Sequence, residues 1–177
     1  MKRLILVVAV LAAVACVAPA EEGEIQHRFL AVDNGGNRLF HVDQAKPSAN
    51  WTVDIPSGSR DLQLVGDGGV LVSHGNGCAE YDLATGKRTW AVADHENISS
   101  ARRLPNGNTL LAASIGGVTL IEIDRKGKTV SKLVLEKLSD QRLIRRLDGG
   151  NVLLGLAGPR KIVEVDPKGK QVWSAAL

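Results

Sequence analysis

Short runs in which apolar and polar residues alternate fill the chain from residue 29 onward, and each run ends in a cluster of Gly, Asn, Asp or Pro. The spacing predicts strands over 29–32, 38–42, 51–55, 62–65, 70–74, 78–81, 90–92, 101–104, 109–113, 118–123, 129–135, 143–147, 152–156, 161–165 and 171–174. Period-two alternation bounded by turn residues is the signature of half-buried strands. A helical period of useful length is found nowhere, so the fold class is all-β.

The strands come in repeats. Tyr81-Asp82-Leu83-Ala84-Thr85-Gly86-Lys87-Arg88-Thr89-Trp90 returns as Glu164-Val165-Asp166-Pro167-Lys168-Gly169-Lys170-Gln171-Val172-Trp173. Weaker copies lie at Glu122-Ile123-Asp124-Arg125-Lys126-Gly127-Lys128 and at His41-Val42-Asp43, with Trp51 following. The aspartates Asp43, Asp82, Asp124 and Asp166 recur at intervals of 39, 42 and 42 residues. Four strands in about 40 residues make one blade of a propeller. The units run over residues 29–58, 59–98, 99–140 and 141–177, after a polar lead-in at 21–28. The signature residues Asp82, Gly86, Trp90, Asp124, Gly127, Asp166, Gly169 and Trp173 have a structural role in this reading. Asp bonds its own backbone a few residues on, Gly takes the left-handed position that closes the hairpin, and Trp packs between blades with its N–H free to find a carbonyl.

The first twenty residues stand outside this pattern. Lys2-Arg3, an apolar run over 4–17 and Ala18-Pro19-Ala20 before Glu21 read as a secretory signal peptide. The expected location is therefore exported, periplasmic or extracellular. Cys16 follows Ala13-Val14-Ala15, a loose lipoprotein box, and lipidation there would make the chain membrane-anchored. Without Lys2 and Arg3 the formal charge falls from +3 to +1, which removes the electrostatic case for nucleic acid. Cys78 is then the lone cysteine, so no internal disulfide forms, and it reads as a small buried residue.

Asp82 to Trp90 resembles the tryptophan-docking repeat of quinoprotein-type (PQQ-like) β-propellers, and Asp166 to Trp173 is similar but one residue shorter. Arg103-Leu104-Pro105-Asn106-Gly107-Asn108-Thr109-Leu110-Leu111 also looks like exported bacterial members. The resemblance covers nearly all of residues 29–177 and implies about four PQQ-like, four-stranded blades, as a partial or small propeller. It implies two kinds of function. BamB-type assembly lipoproteins bind partner proteins without catalysis, whereas other members are quinone-dependent dehydrogenases. The adjacent Cys-Cys pair and the calcium-holding Glu/Asn/Asp set of the dehydrogenases have no match here, so no catalytic residue is assigned, and PQQ with calcium is a cofactor expectation only of the enzymatic alternative. A propeller lyase or transferase is the other enzymatic alternative. The binding or scaffold reading is preferred. The first unit lacks an opening strand before Phe29, which leaves three arrangements: a small four-bladed ring, a homodimer closing a larger ring, or a chain shorter than its relatives.

One constellation invites a ligand. Arg102-Arg103 and Arg145-Arg146 occupy equivalent places before the first turn of their blades, where Gln63-Leu64 stands in the second blade. The opening strand of a blade often lies near the central channel. Arginines there suit a carboxylate or phosphate, so the expected partner is a protein or a small anionic ligand. Alternation allows at most half of these arginines to converge, and salt bridges between blades are the competing role. The histidines His41, His74 and His95 have no metal-ligand spacing.

Overall fold

The computed structural model describes residues 25–66 and 68–177; the expected signal peptide and Cys16 lie outside them. Every described strand belongs to one of four antiparallel meanders. Blade 1 holds β1 (Arg28–Asp33), β2 (Arg38–Asp43) and β3 (Trp51–Asp54). Blade 2 holds β4 (Leu62–Val65), β5 (Gly69–His74), β6 (Gly77–Asp82) and β7 (Arg88–Val92). Blade 3 holds β8 (Ile98–Arg103), β9 (Thr109–Ser114), β10 (Val118–Ile123) and β11 (Thr129–Leu135). Blade 4 holds β12 (Gln141–Arg146), β13 (Val152–Leu156), β14 (Lys161–Val165) and β15 (Gln171–Ala176). The fold is an all-β, four-bladed β-propeller arc. Blade 1 has three strands among the described residues, and β1 matches the second strand of the others, because Leu30 pairs with His41 as Leu71 pairs with Glu80.

The hairpin between the last two strands of a blade shows why the repeat is spaced as it is. Asp124 Oδ1 accepts from the backbone N–H of Lys126 and Lys128 at 2.8 and 2.9 Å. Asp166 does the same for Lys168 and Lys170, at 2.9 Å each. Asp82 instead holds the N–H and hydroxyl of Thr85, at 2.8 and 2.6 Å, which accommodates its one extra residue. The glycine that follows is required twice over in blade 2. Gly86 sits at φ +71°, and a Cβ there would lie 2.9 Å from the Trp51 ring of blade 1. After Asp43 the hairpin is replaced by a short 3-10 turn, Pro47–Ala49, and Asn50 Oδ1 accepts from the Asp43 N–H.

The apolar side chains form three buried clusters, and each spans one junction between consecutive blades. Leu39 and Ile55 of blade 1 pack on Val70, Val72, Ala79 and Tyr81 of blade 2. Leu71, Cys78 and Val92 of blade 2 meet Ile98, Ala101, Leu111, Ala113, Ile121 and Ile123 of blade 3. Leu110, Leu120 and Leu135 of blade 3 meet Ile144, Val152, Leu154, Leu156, Val163 and Val165 of blade 4. Among the described residues no cluster joins blade 4 to blade 1. Among the described residues, a face of blade 1 carrying Phe29 and a face of blade 4 carrying Trp173 are left half-exposed.

Candidate functional site

The middle and final junctions share a polar device built on equivalent positions. A glutamate two residues before the hairpin aspartate, Glu80 or Glu122, faces an arginine at the end of the next blade's first strand. Glu80 Oε2 accepts from Arg103 at 2.9 Å and from Arg125 at 2.7 Å. Glu122 Oε2 accepts from Arg146 at 3.2 Å. Both arginines also donate back to their own first turn, Arg103 to the Gly107 carbonyl and Arg146 to that of Gly150. Burial works to raise the Glu80 carboxyl, but the hydrogen bonds and charges of Arg125 and Arg103 outweigh it and hold it below the usual carboxylate range. Trp90 completes this junction. Its ring lies 4.5 Å from the Arg103 guanidinium carbon and 5.1 Å from that of Arg125, and its indole N–H donates to the Arg125 carbonyl at 2.8 Å.

The residue just before each of these arginines stands on the other side of the first strand. Gln63, Arg102 and Arg145 are one position in three blades, as their pairing with Leu71, Leu110 and Leu153 shows. They behave differently. Gln63 caps the neighbouring strand, accepting from the Arg103 N–H at 2.8 Å and donating to its carbonyl at 3.3 Å. Arg102 is buried, with its side chain 9% exposed, ion-paired to Asp61 and donating to the Leu62 carbonyl at 2.9 Å. Asp61 is itself buried and also accepts from the Ser100 hydroxyl. Burial lowers the Arg102 pKa, Asp61 opposes this, and the like charge of Arg145 adds to it; the guanidinium stays charged. The Arg145 side chain is 49% exposed, and its nearest carboxylate oxygen, on Asp61, lies 3.9 Å away.

All four sequence-predicted arginines line one open cleft of about 510 Å³ where blades 3 and 4 meet. Gln63, Glu122 and the turn residues Pro105 and Asp148 complete its wall. Arg103 and Arg146 serve the junctions between blades, and Arg102 serves Asp61, which leaves Arg145, among the described residues, with only the long 3.9 Å approach to Asp61. The carboxylates were the part that sequence reading passed over. Glu80 and Glu122 had a visible signal, a Glu two residues before the hairpin Asp, repeated again at Glu164. Asp61 had none, because Ser100 and Leu143 fill its place in the next two blades.

Of the signature residues, Trp51 and Trp90 bridge junctions, Trp51 donating to the Leu83 carbonyl at 2.9 Å. Trp173 bridges none and is 47% exposed. Beside it Glu164 is held by Asn151 at 2.6 Å, as Glu122 is held by Asn108, but faces no arginine. His74 is buried, and burial lowers its pKa. The Cys78 thiol is pushed up to about 12, by burial first, so it is an inert core group. The residues present do not fit a calcium–quinone site. Asp61, Glu80 and Glu122 already hold guanidinium groups, and among the described residues no set of three His, Cys, Asp or Glu side chains is placed to hold a metal.

The family described as outer membrane protein assembly factor BamB matches residues 23–137, most of blades 1 to 3. No curated protein matches the chain. Among solved structures, a protein of unknown function from Bacteroides caccae is 25% identical over 86% of this chain and 58% of its own, with a TM-score of 0.66. BamB from Moraxella catarrhalis is 17% identical over 84% of this chain and 45% of its own, with a TM-score of 0.53. A streptogramin B lyase is 12% identical over 85% and 51%, with a TM-score of 0.62. This chain thus spans about half to three-fifths of the length of these structures. With the matched region covering more than half of its residues, the chain belongs to the PQQ-like propeller family described as outer membrane protein assembly factor BamB.

Proposed function

We propose that the chain is a non-catalytic binding module of the cell envelope, and that a protein partner docks on the open face of blade 4. One observation carries this reading. Trp173 and Glu164 repeat the positions that Trp90 and Glu80 use to grip the next blade, and among the described residues Trp173 is half-exposed and Glu164 pairs with no arginine. A partner that fits this face offers a basic side chain to Glu164 and a bare backbone carbonyl to Trp173. The name of the matched family, an assembly factor for outer membrane proteins, supports a protein as the ligand. Export is supported by the basic start, apolar run and small-residue site before Glu21.

The test is a photo-crosslinking amino acid at position 173, with Lys126, on an exposed hairpin of blade 3, as control. One discrete adduct with another envelope protein at 173, absent at 126, is expected. An adduct within the same chain, or none, overturns the docking face. The non-catalytic part has its own test. Saturable binding of added PQQ with calcium, together with dye-linked oxidation of alcohols or sugars, would overturn it.

A further inference from the structure

We propose that the cleft between blades 3 and 4 is an oxyanion site centred on Arg145, separate from the docking face of blade 4. Most charges around the cleft are committed to one another. Arg102 is paired with Asp61, Arg103 with Glu80, and Arg146 with Glu122. Among the described residues the one hydrogen bond from the Arg145 side chain runs to the adjacent Ile144 carbonyl, at 2.6 Å. Asp61 is a loose ion partner of Arg145, at 3.9 Å, and makes its closer bonds to Arg102 and Ser100. Asp148 lines the cleft but pairs with none of these arginines.

The local balance leaves one positive charge over. Arg102, Arg103, Arg145 and Arg146, with Arg125 behind them, face Asp61, Glu80, Glu122 and Asp148. Two further donors sit in the same walls. The Nε–H groups of Arg102 and Arg146 are buried and have no acceptor, and the Arg102 side chain is more than nine-tenths buried. These two donors are closed to solvent, so the group that an anion entering the cleft meets is the half-exposed Arg145 side chain. A monoanionic oxyanion fits this set. The guanidinium fork of Arg145 meets two oxygens side by side, as a carboxylate or a phosphate presents them. Chloride offers no such pair.

The experiment is a titration of the full chain with sodium acetate, inorganic phosphate or chloride at constant ionic strength, read as the thermal midpoint. A saturable rise of roughly 3–5 °C at about ten times Kd is expected for acetate or phosphate and not for chloride. A rise with acetate points to carboxylates such as an acidic side chain or a chain terminus; a rise with phosphate alone points to phosphate esters. Arg145→Gln should weaken binding at least about tenfold, Arg145→Lys should restore part of it, and Arg88→Gln, on an exposed outer strand, should leave it unchanged. An equal rise with chloride, or an unaltered affinity in Arg145→Gln, overturns the site.

Discussion

The junction between blades 2 and 3 is tied by charge, and the junction between blades 1 and 2 is not. At the first, Glu80 bridges Arg103 and Arg125 against the Trp90 ring. At the second, His41 stands in the place of Glu80 and Leu64 in the place of Arg103. His41 stacks on Trp51 instead, with ring centroids 5.6 Å apart, and its Nδ1 lies 3.0 Å from the Ala49 carbonyl. Two things are common to both. A tryptophan of one blade donates to a carbonyl just past the hairpin Asp of the next, and a buried apolar cluster lies beneath. The comparison teaches that burial and the indole bond make a blade junction, while the ion pair is an addition that fixes alignment and brings pH dependence. A partly exposed ion pair is a modest stabiliser beside a buried cluster, which agrees with its being dispensable.

The comparison breaks most sharply in the clusters. Leu71→Ala and Leu39→Ala, one at each junction and both fully buried, should each cost about 3 kcal/mol in chemical denaturation. If the charged junction tolerated Leu71→Ala at a small fraction of that cost, the ranking of burial over charge would fail. Gly86→Ala comes next, at about 2–3 kcal/mol. It forces a side chain into a left-handed backbone and against the Trp51 ring, and quenching of Trp51 fluorescence should report the disturbed packing.

Glu80→Gln should cost about 1–2 kcal/mol, because it leaves Arg103 and Arg125 close together without their carboxylate. Its pH signature is more decisive than its size. The folded-state pKa of Glu80 lies below the unfolded 4.5, so its contribution is complete above that value and is lost as pH falls through the folded value. Acid unfolding of the wild type should therefore carry a component below pH 4.5 that Glu80→Gln lacks. Parallel acid curves would remove Glu80 from the account. The smallest effect is that of Trp90→Phe, about 1 kcal/mol for the lost N–H bond to the Arg125 carbonyl, with the ring largely replaced. Both clusters should survive it, as seen in unchanged far-ultraviolet dichroism.

The blades were legible because their signals are local. The Asp and Gly of a hairpin act within four residues of each other, and alternation sets each strand face by face. The three-stranded first blade was legible for the same reason, as a missing run before Phe29. The site was legible only in part. Equivalent placing of Arg102-Arg103 and Arg145-Arg146 was visible, but strand alternation predicts that at most half of them converge, whereas one cleft is lined by all four. Which of them stays uncommitted depends on Asp61, 41 residues before Arg102. No repeat marks Asp61, so the feature that singles out Arg145 breaks the pattern from which the rest was read.

The three separate clusters have a consequence for how the molecule comes apart. Among the described residues each buried apolar cluster joins two consecutive blades, and Arg145 of blade 4, 3.9 Å from Asp61 of blade 2, is a polar link that reaches past a neighbour. Blades coupled pairwise in this way behave as links in a row, opening stepwise rather than in a single step. Blade 1, with three strands among the described residues and an uncharged junction, is the link expected to open most readily. Slow hydrogen exchange should concentrate in β9 and β10, where blade 3 is flanked on both sides, and fall away toward both ends.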